Sequence, residues 1–265
     1  MLTKKCHQFI DDDIRIQMLV GCEFEFILDS CSHECPLWRI RINPYALYTL
    51  ERCMEVRQIG GREVTLRRGT DKCLITFYAV FDQDSLSELF DSVPNCTILA
   101  MRINDWNQEL SPWEAPPVFG QEGFGHDAKD TLQYITDILI PEFGFEDIAI
   151  GGYSLAGLFS LWACYNTDIF SGCAAASPSV WFPDWDDFIQ SNTIRTKNVY
   201  LSLGEKESKT KNQLMRAVSE RIELQYDLLK DQLDESVILE WNPGNHFQDF
   251  IKRKSRAFNW IMNRI

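Results

Sequence analysis

Two short runs, 74-LITFYAVF-81 and 96-CTILAMRI-103, are apolar at nearly every position. A strand with one wet face alternates apolar and polar residues; a strand covered on both faces does not. These runs therefore predict strands inside a parallel sheet with helices on each side. The rest of the chain supplies those helices. Leu132, Ile135, Ile138 and Leu139 recur at helical spacing over 127–140, with Pro141 just beyond. A short apolar strand follows, 147-DIAIGG-152, and then LAGLFSLWACYN, a helix apolar nearly all round and hence buried. CAAAS (173–177), VYLSLG (199–204) and VILEW (237–241) read as further strands. An amphipathic helix is expected over 210–233, with Leu214, Val218, Ile222, Leu229 and Leu233 on one stripe, and a closing helix over 247–263. Strand and helix alternate, so the expected fold is α/β, with a mostly parallel central sheet flanked by helices.

The first seventy residues have a different texture. Short alternating segments such as 23-EFEFIL-28 and 63-EVTLRR-68 are punctuated by Asn43-Pro44 and Gly60-Gly61. They predict strands and hairpins, a β-rich extension over 1–70 packed on a core over 74–263. A chain of 265 residues suits one large α/β domain.

The formal net charge of -13 repels phosphate backbones and anionic lipid, which argues against nucleic-acid and membrane partners. No apolar run reaches the length of a membrane span. The start, MLTKKCHQFIDDD, has lysines but no apolar stretch behind them, unlike a secretory signal. Nine cysteines lie scattered without a framework spacing, which suits reduced thiols and a cytoplasmic location. In 31-CSHEC-35 two thiols flank an imidazole, but a structural zinc site wants a second ligand pair, and only Cys6 and His7 lie near. The segment reads as a loop with free thiols, and no metal is expected.

The chemistry is expected where strand meets helix, in 149-AIGGYSLAGLFSLWA-163. A nucleophile elbow needs this context: a serine on a strained turn, with small residues two before and two after it. Gly152 and Ala156 are small, although the usual pattern has glycine at the second place; Gly157 follows, where close helix packing needs it. The turn puts Ser154 at a helix N-terminus, with the backbone N–H of Leu155 free to stabilise an oxyanion. A glycine-rich turn with an incidental serine would look much the same. The histidines separate the two readings. A hydrolase of this kind has its residues in the order Ser, acid, His, and among His7, His33, His126 and His246 only His246 follows Ser154. It sits in 241-WNPGNHF-247, just after the last expected strand. The acid belongs on the loop after 199–204, where Glu205 and Glu207 stand. Glu207 is preferred, because its offset lets the chain turn before the carboxylate reaches back to the imidazole, and Glu205 is the fallback. A second oxyanion donor is expected from 82-DQDS-85, with the Gln83 backbone N–H as the choice.

At these residues the chain resembles the esterase family of α/β-hydrolases that contains the enterochelin esterases, feruloyl esterases, S-formylglutathione hydrolases and mycolyltransferases. The resemblance rests on GGYSLAGLFSLWA, 177-SPSVWF-182, 201-LSLGEKE-207 and 244-GNHF-247, with 108-QELSPWEAP-116 similar to the loop lining the family's cleft. It implies the α/β-hydrolase fold and a Ser-His-acid carboxyl-ester hydrolase without cofactor. The family's nucleophile falls on Ser154, its base on His246 and its acid on Glu207. Trp113 and Trp181 then stand as cleft-wall residues, and Tyr153, beside the nucleophile, as a substrate contact. Ala156 and the DQDS loop depart from the family's pattern, and the first seventy residues match none of its motifs. The expected partner is a small or medium soluble ester; oligomeric state is not legible. Thioester hydrolysis or acyl transfer would use the same triad, and a non-catalytic binding protein would keep only the shell.

Overall fold

The computed structural model describes residues 54–118 and 120–265. The expectations for 23–28, for 31–35 and for Cys6, His7 and His33 lie outside the described residues.

The chain first forms a hairpin of β1 (Met54–Ile59) and β2 (Arg62–Arg67). Gly60 and Gly61 both have positive φ, 53° and 84°, the backbone a two-residue primed turn demands. Then come β3 (Cys73–Tyr78), α1 (Leu86–Ser92), β4 (Thr97–Arg102) and α2 (Trp106–Leu110). Next are α3 (Ala128–Tyr134), a π-helical turn (Ile135–Leu139) and α4 (Ile140–Phe143). The remaining elements are β5 (Ile148–Tyr153), α5 (Leu155–Asn166), β6 (Gly172–Ala176), α6 (Trp185–Ser191), β7 (Asn198–Gly204), α7 (Gln213–Arg216), α8 (Val218–Leu233), β8 (Val237–Asn242) and α9 (Phe250–Met262).

The strands form one eight-stranded sheet in the order β1-β2-β4-β3-β5-β6-β7-β8. Two pairings, β1 with β2 and β2 with β4, are antiparallel; all others are parallel. Successive residues of the apolar strands enter different cores. Ile75, Phe77, Leu99, Met101 and Ile150 pack with α3, α5, α6 and α8 on one face. Leu74, Tyr78, Ile98, Ala100 and Ala149 pack with α1 and α9 on the other. That double covering is why the strands read as continuous apolar runs.

Three boundaries differ from expectation. β3 ends at Tyr78, and residues Val80–Ser85 form a 3-10 helix instead of continuing the strand to Phe81. The apolar run goes on because Phe81 lines a cavity rather than the sheet. The helix expected to stop before Pro141 continues to Phe143. Proline has no N–H and crowds the carbonyl one turn back, and the π-helical turn just before it absorbs the misfit. The helix expected over 210–233 is in two pieces that part at Ala217. No helix among the described residues is long and apolar enough to cross a membrane.

Candidate active site

Ser154 lies between β5 and α5 with φ 58° and ψ -124°, a conformation an L-residue adopts at a cost of about 1–3 kcal/mol. The crowding around it explains the sequence. A Cβ on Gly152 would fall 2.6 Å from the Ala156 Cβ and 2.5 Å from its carbonyl carbon, so residue 152 must be glycine. The methyl of Ala156 is accommodated because the space is conceded from the other side.

The turn delivers the Ser154 hydroxyl to His246, with Oγ 3.0 Å from Nε2. On the far side of the ring, Nδ1 is 2.7 Å from Glu207 Oε2. An ionised carboxylate only accepts, so Nδ1 carries the proton and Nε2 is left to accept from the serine. Glu205 is exposed, and its backbone N–H donates to the Asn242 carbonyl. The parallel pairing brings Ser154, Glu207 and His246 together: each follows the C-terminal end of a parallel strand, β5, β7 or β8, at the same end of the sheet.

Glu207 is held from all sides. Its Oε1 accepts from the Gly204 N–H at 2.7 Å, from Ser177 Oγ at 2.8 Å and from Arg253 Nη1 at 2.8 Å. Burial by itself would raise this carboxyl. The hydrogen bond and charge of His246, the Gly204 amide and the Ser177 hydroxyl outweigh it and hold the group below its usual value.

Arg253, on α9 and only 1% exposed, is a second anchor. Its Nη1 also donates to Tyr153 Oη and Ser177 Oγ, both at 3.2 Å. Its Nη2 donates to the carbonyls of Pro243 and Asn245, both at 2.9 Å, and so fixes the loop that carries the histidine. Tyr153 adds a hydrogen bond from its hydroxyl to the His246 carbonyl at 2.6 Å. One guanidinium thus ties together Glu207, the loop of His246 and the residue before Ser154. Sequence reading missed it, because a helical period does not tell which cation of a helix another element covers. It also missed the two serines of SPSVWF. Ser177 bonds Glu207, and Ser179 Oγ lies 3.3 Å from Ser154 Oγ. Their signal was the motif itself.

A cavity of about 330 Å³ opens onto Ser154 and His246. Its walls are Phe77, Phe81, Trp106, Tyr153, Phe247 and Phe250, with Asp82 and Lys254 as its charged groups. Trp113 and Trp181, expected at the cleft, are not among these walls. Trp113 stacks on Trp185 and donates from Nε1 to the Pro183 carbonyl at 3.0 Å. Trp181 is buried against Phe124 and Phe182. Both serve the core under the β6–α6 connection.

Gln83, chosen as an oxyanion donor, is exposed and is not among the lining residues. The physical reason is the early end of β3, which shifts the chain so that Phe81 and Asp82 face the cavity. Val80 and Phe81 open the 3-10 helix, so their N–H groups precede its first internal bond, from Asp82 N–H to Ala79. Leu155 opens α5 in the same way. Asp82 is the acid of this segment that reaches the cavity; burial raises its carboxyl, with the Lys254 charge opposing. Among the described residues no His, Cys, Asp and Glu cluster of three could hold a metal.

No family model matches the sequence. The chain is 24% identical over 218 residues to the uncharacterized protein YbbA of Bacillus subtilis, covering 71% of this chain and 86% of that one. Among solved structures it resembles the siderophore hydrolase EstA from Aspergillus nidulans, with a TM-score of 0.62 and 17% identity over 88% of this chain and 99% of the other. It also resembles an IroE-like serine hydrolase from Shewanella oneidensis, with a TM-score of 0.60 and 13% identity over 78% and 79% of the two chains. A third is the enterobactin esterase of Shigella flexneri, with a TM-score of 0.57 and 13% identity over 80% and 59%. At such identities the likeness carries the fold: the chain has the α/β-hydrolase fold.

Proposed function

We propose that the protein is a serine hydrolase that cleaves carboxylic esters through an acyl-enzyme on Ser154. The observation that carries this reading is the hydrogen-bonded relay from Ser154 Oγ to His246 Nε2 and from Nδ1 to Glu207, at 3.0 and 2.7 Å. The neighbours' names, siderophore hydrolase and enterobactin esterase, point to the same chemistry.

In this mechanism Ser154 Oγ attacks the ester carbonyl while His246 Nε2 takes its proton. Glu207 holds the tautomer and stabilises the imidazolium. The oxyanion receives the Leu155 N–H and a second amide from Val80–Phe81. Collapse of the tetrahedral adduct breaks the bond to the alcohol, which leaves with the proton from His246. Water, deprotonated by His246, then releases the acid and restores the serine. The Ser179 hydroxyl beside Ser154 Oγ offers a further donor to the serine oxygen. The aromatic walls suit an apolar or aromatic portion of a small or medium soluble ester.

A fluorophosphonate probe tests the reading. Labelling located at Ser154 by mass spectrometry, and absent from Ser154→Ala, is the expected result. A folded wild type that stays unlabelled and turns over no ester would overturn it.

A further inference from the structure

Two buried cations stand next to each other on α9, and they are employed very differently. Arg253 spends both terminal nitrogens on five acceptors. Lys254 is 5% exposed and lines the cavity that holds Ser154 and His246, yet no hydrogen bond or ion pair engages its ammonium among the described residues. Asp82, on the same cavity, attracts it through space without pairing with it. An ammonium set in an apolar cavity without a partner is costly, and proteins retain one where something else completes it. Burial holds this one down to about 8, so it is still protonated at neutral pH.

Resting on the hydrolase reading above, we infer that the physiological ester carries a carboxylate, and that Lys254 binds it inside the aromatic cavity. Three features narrow the class. The walls are aromatic except for the reacting groups, Lys254 and Asp82, so one charge and an apolar body are what the space accepts. A single ammonium neutralises a monoanion. Asp82 nearby disfavours a dianion such as a phosphate monoester. The Ser154 hydroxyl is engaged by His246 and not by Lys254, so the place of Lys254 is in recognition.

The test uses matched ester pairs that differ by a carboxylate in either half: 4-nitrophenyl hydrogen adipate against 4-nitrophenyl hexanoate, and 4-acetoxyphenylacetate against 4-acetoxytoluene. The readout is the ratio of kcat/KM within a pair. In the wild type the acidic ester is favoured in at least one pair by about tenfold or more, as expected when a buried ammonium gains its counter-charge. Lys254→Met lowers that ratio by about tenfold or more, and Lys254→Arg retains most of it. A ratio near or below one in both pairs, or one unchanged by Lys254→Met, overturns the inference.

Binding without turnover keeps the two readings apart. In a Ser154→Ala background, calorimetry with 4-phenylbutyrate and its amide should show the carboxylate preferred, and the preference lost on adding Lys254→Met. Equal binding of acid and amide in that background counts against Lys254 whatever the enzyme does. If carboxylate binding depends on Lys254 while Ser154 stays unlabelled, the hydrolase reading fails and the anion site stands. If esters are cleaved without regard to charge, the hydrolase stands and the anion site fails.

Discussion

Behind the imidazole of His246 the molecule is dense with hydrogen bonds; in front of it the walls are rings. On the rear side Glu207, Arg253, Ser177 and Tyr153 satisfy one another and three loop carbonyls, so the position of His246 is over-determined. On the front side Phe81, Trp106, Phe247 and Phe250 offer contact area and little direction, and no hydrogen bond engages the Lys254 ammonium among the described residues. The difference separates two tasks. Proton transfer needs a geometry fixed to fractions of an ångström, which only a fully satisfied polar network supplies. Substrate recognition leaves its groups open for the ligand to complete.

The largest effect should come from the rear side. Glu207→Gln keeps the shape but lets the side-chain amide present a donor to Nδ1, which favours the wrong tautomer. A loss of about 10⁴ in kcat is expected, as for an equivalent acid-to-amide change in serine proteases, with the chain still folded. A loss under tenfold on an ester that the wild type hydrolyses would mean that the relay is not the catalytic path. Next comes Arg253→Met. It removes five bonds, one to Glu207, two to the His246 loop and one each to Tyr153 and Ser177, and leaves a buried carboxylate short of a partner, which costs about 3–5 kcal/mol in urea unfolding.

The same network has a pH signature. The folded Glu207 carboxyl lies below its ordinary value, so its stabilisation is complete above the ordinary carboxylate pKa and is lost as pH falls through the lower, folded one. Arg253→Met raises the folded value, and acid unfolding should therefore begin at a higher pH than in the wild type. Identical acid midpoints would show that Arg253 does not hold the carboxylate charged.

On the front side the pH slope has the same sign, but the effect of substitution is reversed. Lys254 is a base with a depressed pKa, so the folded state holds its proton less firmly than the unfolded chain does. Between about 8 and the unfolded value of about 10.4 the unfolded state binds more protons, and stability rises with pH across that window. Below it the cost is constant. Lys254→Met should therefore stabilise the protein at pH 7 by about 1–3 kcal/mol, with the gain shrinking as pH climbs above 8. A destabilised variant would mean that the lysine already has its partner in the free protein.

What was legible in the chain follows the same division. Strands covered on both faces announce themselves by composition, and a strained serine turn needs small residues at fixed offsets, so the sheet and the position of Ser154 could be read locally. Chain order reduced the histidines to one. Arg253 and Lys254 were not legible, because in a helix written KRKSR nothing local says which cations other elements bury. Trp113 and Trp181 were placed at the cavity by resemblance, but the rings that line it include Phe81, Trp106, Phe247 and Phe250. Whether an aromatic ring faces a core or a cavity depends on where β3 stops, and the apolar run carried on past that point.

The smallest effect separates wall from framework. Phe247 follows the histidine directly, is 86% exposed, and meets the imidazole edge-on at 5.4 Å. It contributes little to folding, so Phe247→Ala should change the free energy of urea unfolding by less than about 0.5 kcal/mol. Its ring still covers one side of the cavity mouth. For an ester with an apolar body, kcat/KM should fall by roughly 3- to 10-fold, through KM more than kcat, because the ring binds ground and transition states alike. A fall in kcat with KM unchanged would instead make the ring a brace for His246, and the boundary between the network and the cavity would then run in front of the imidazole rather than through it.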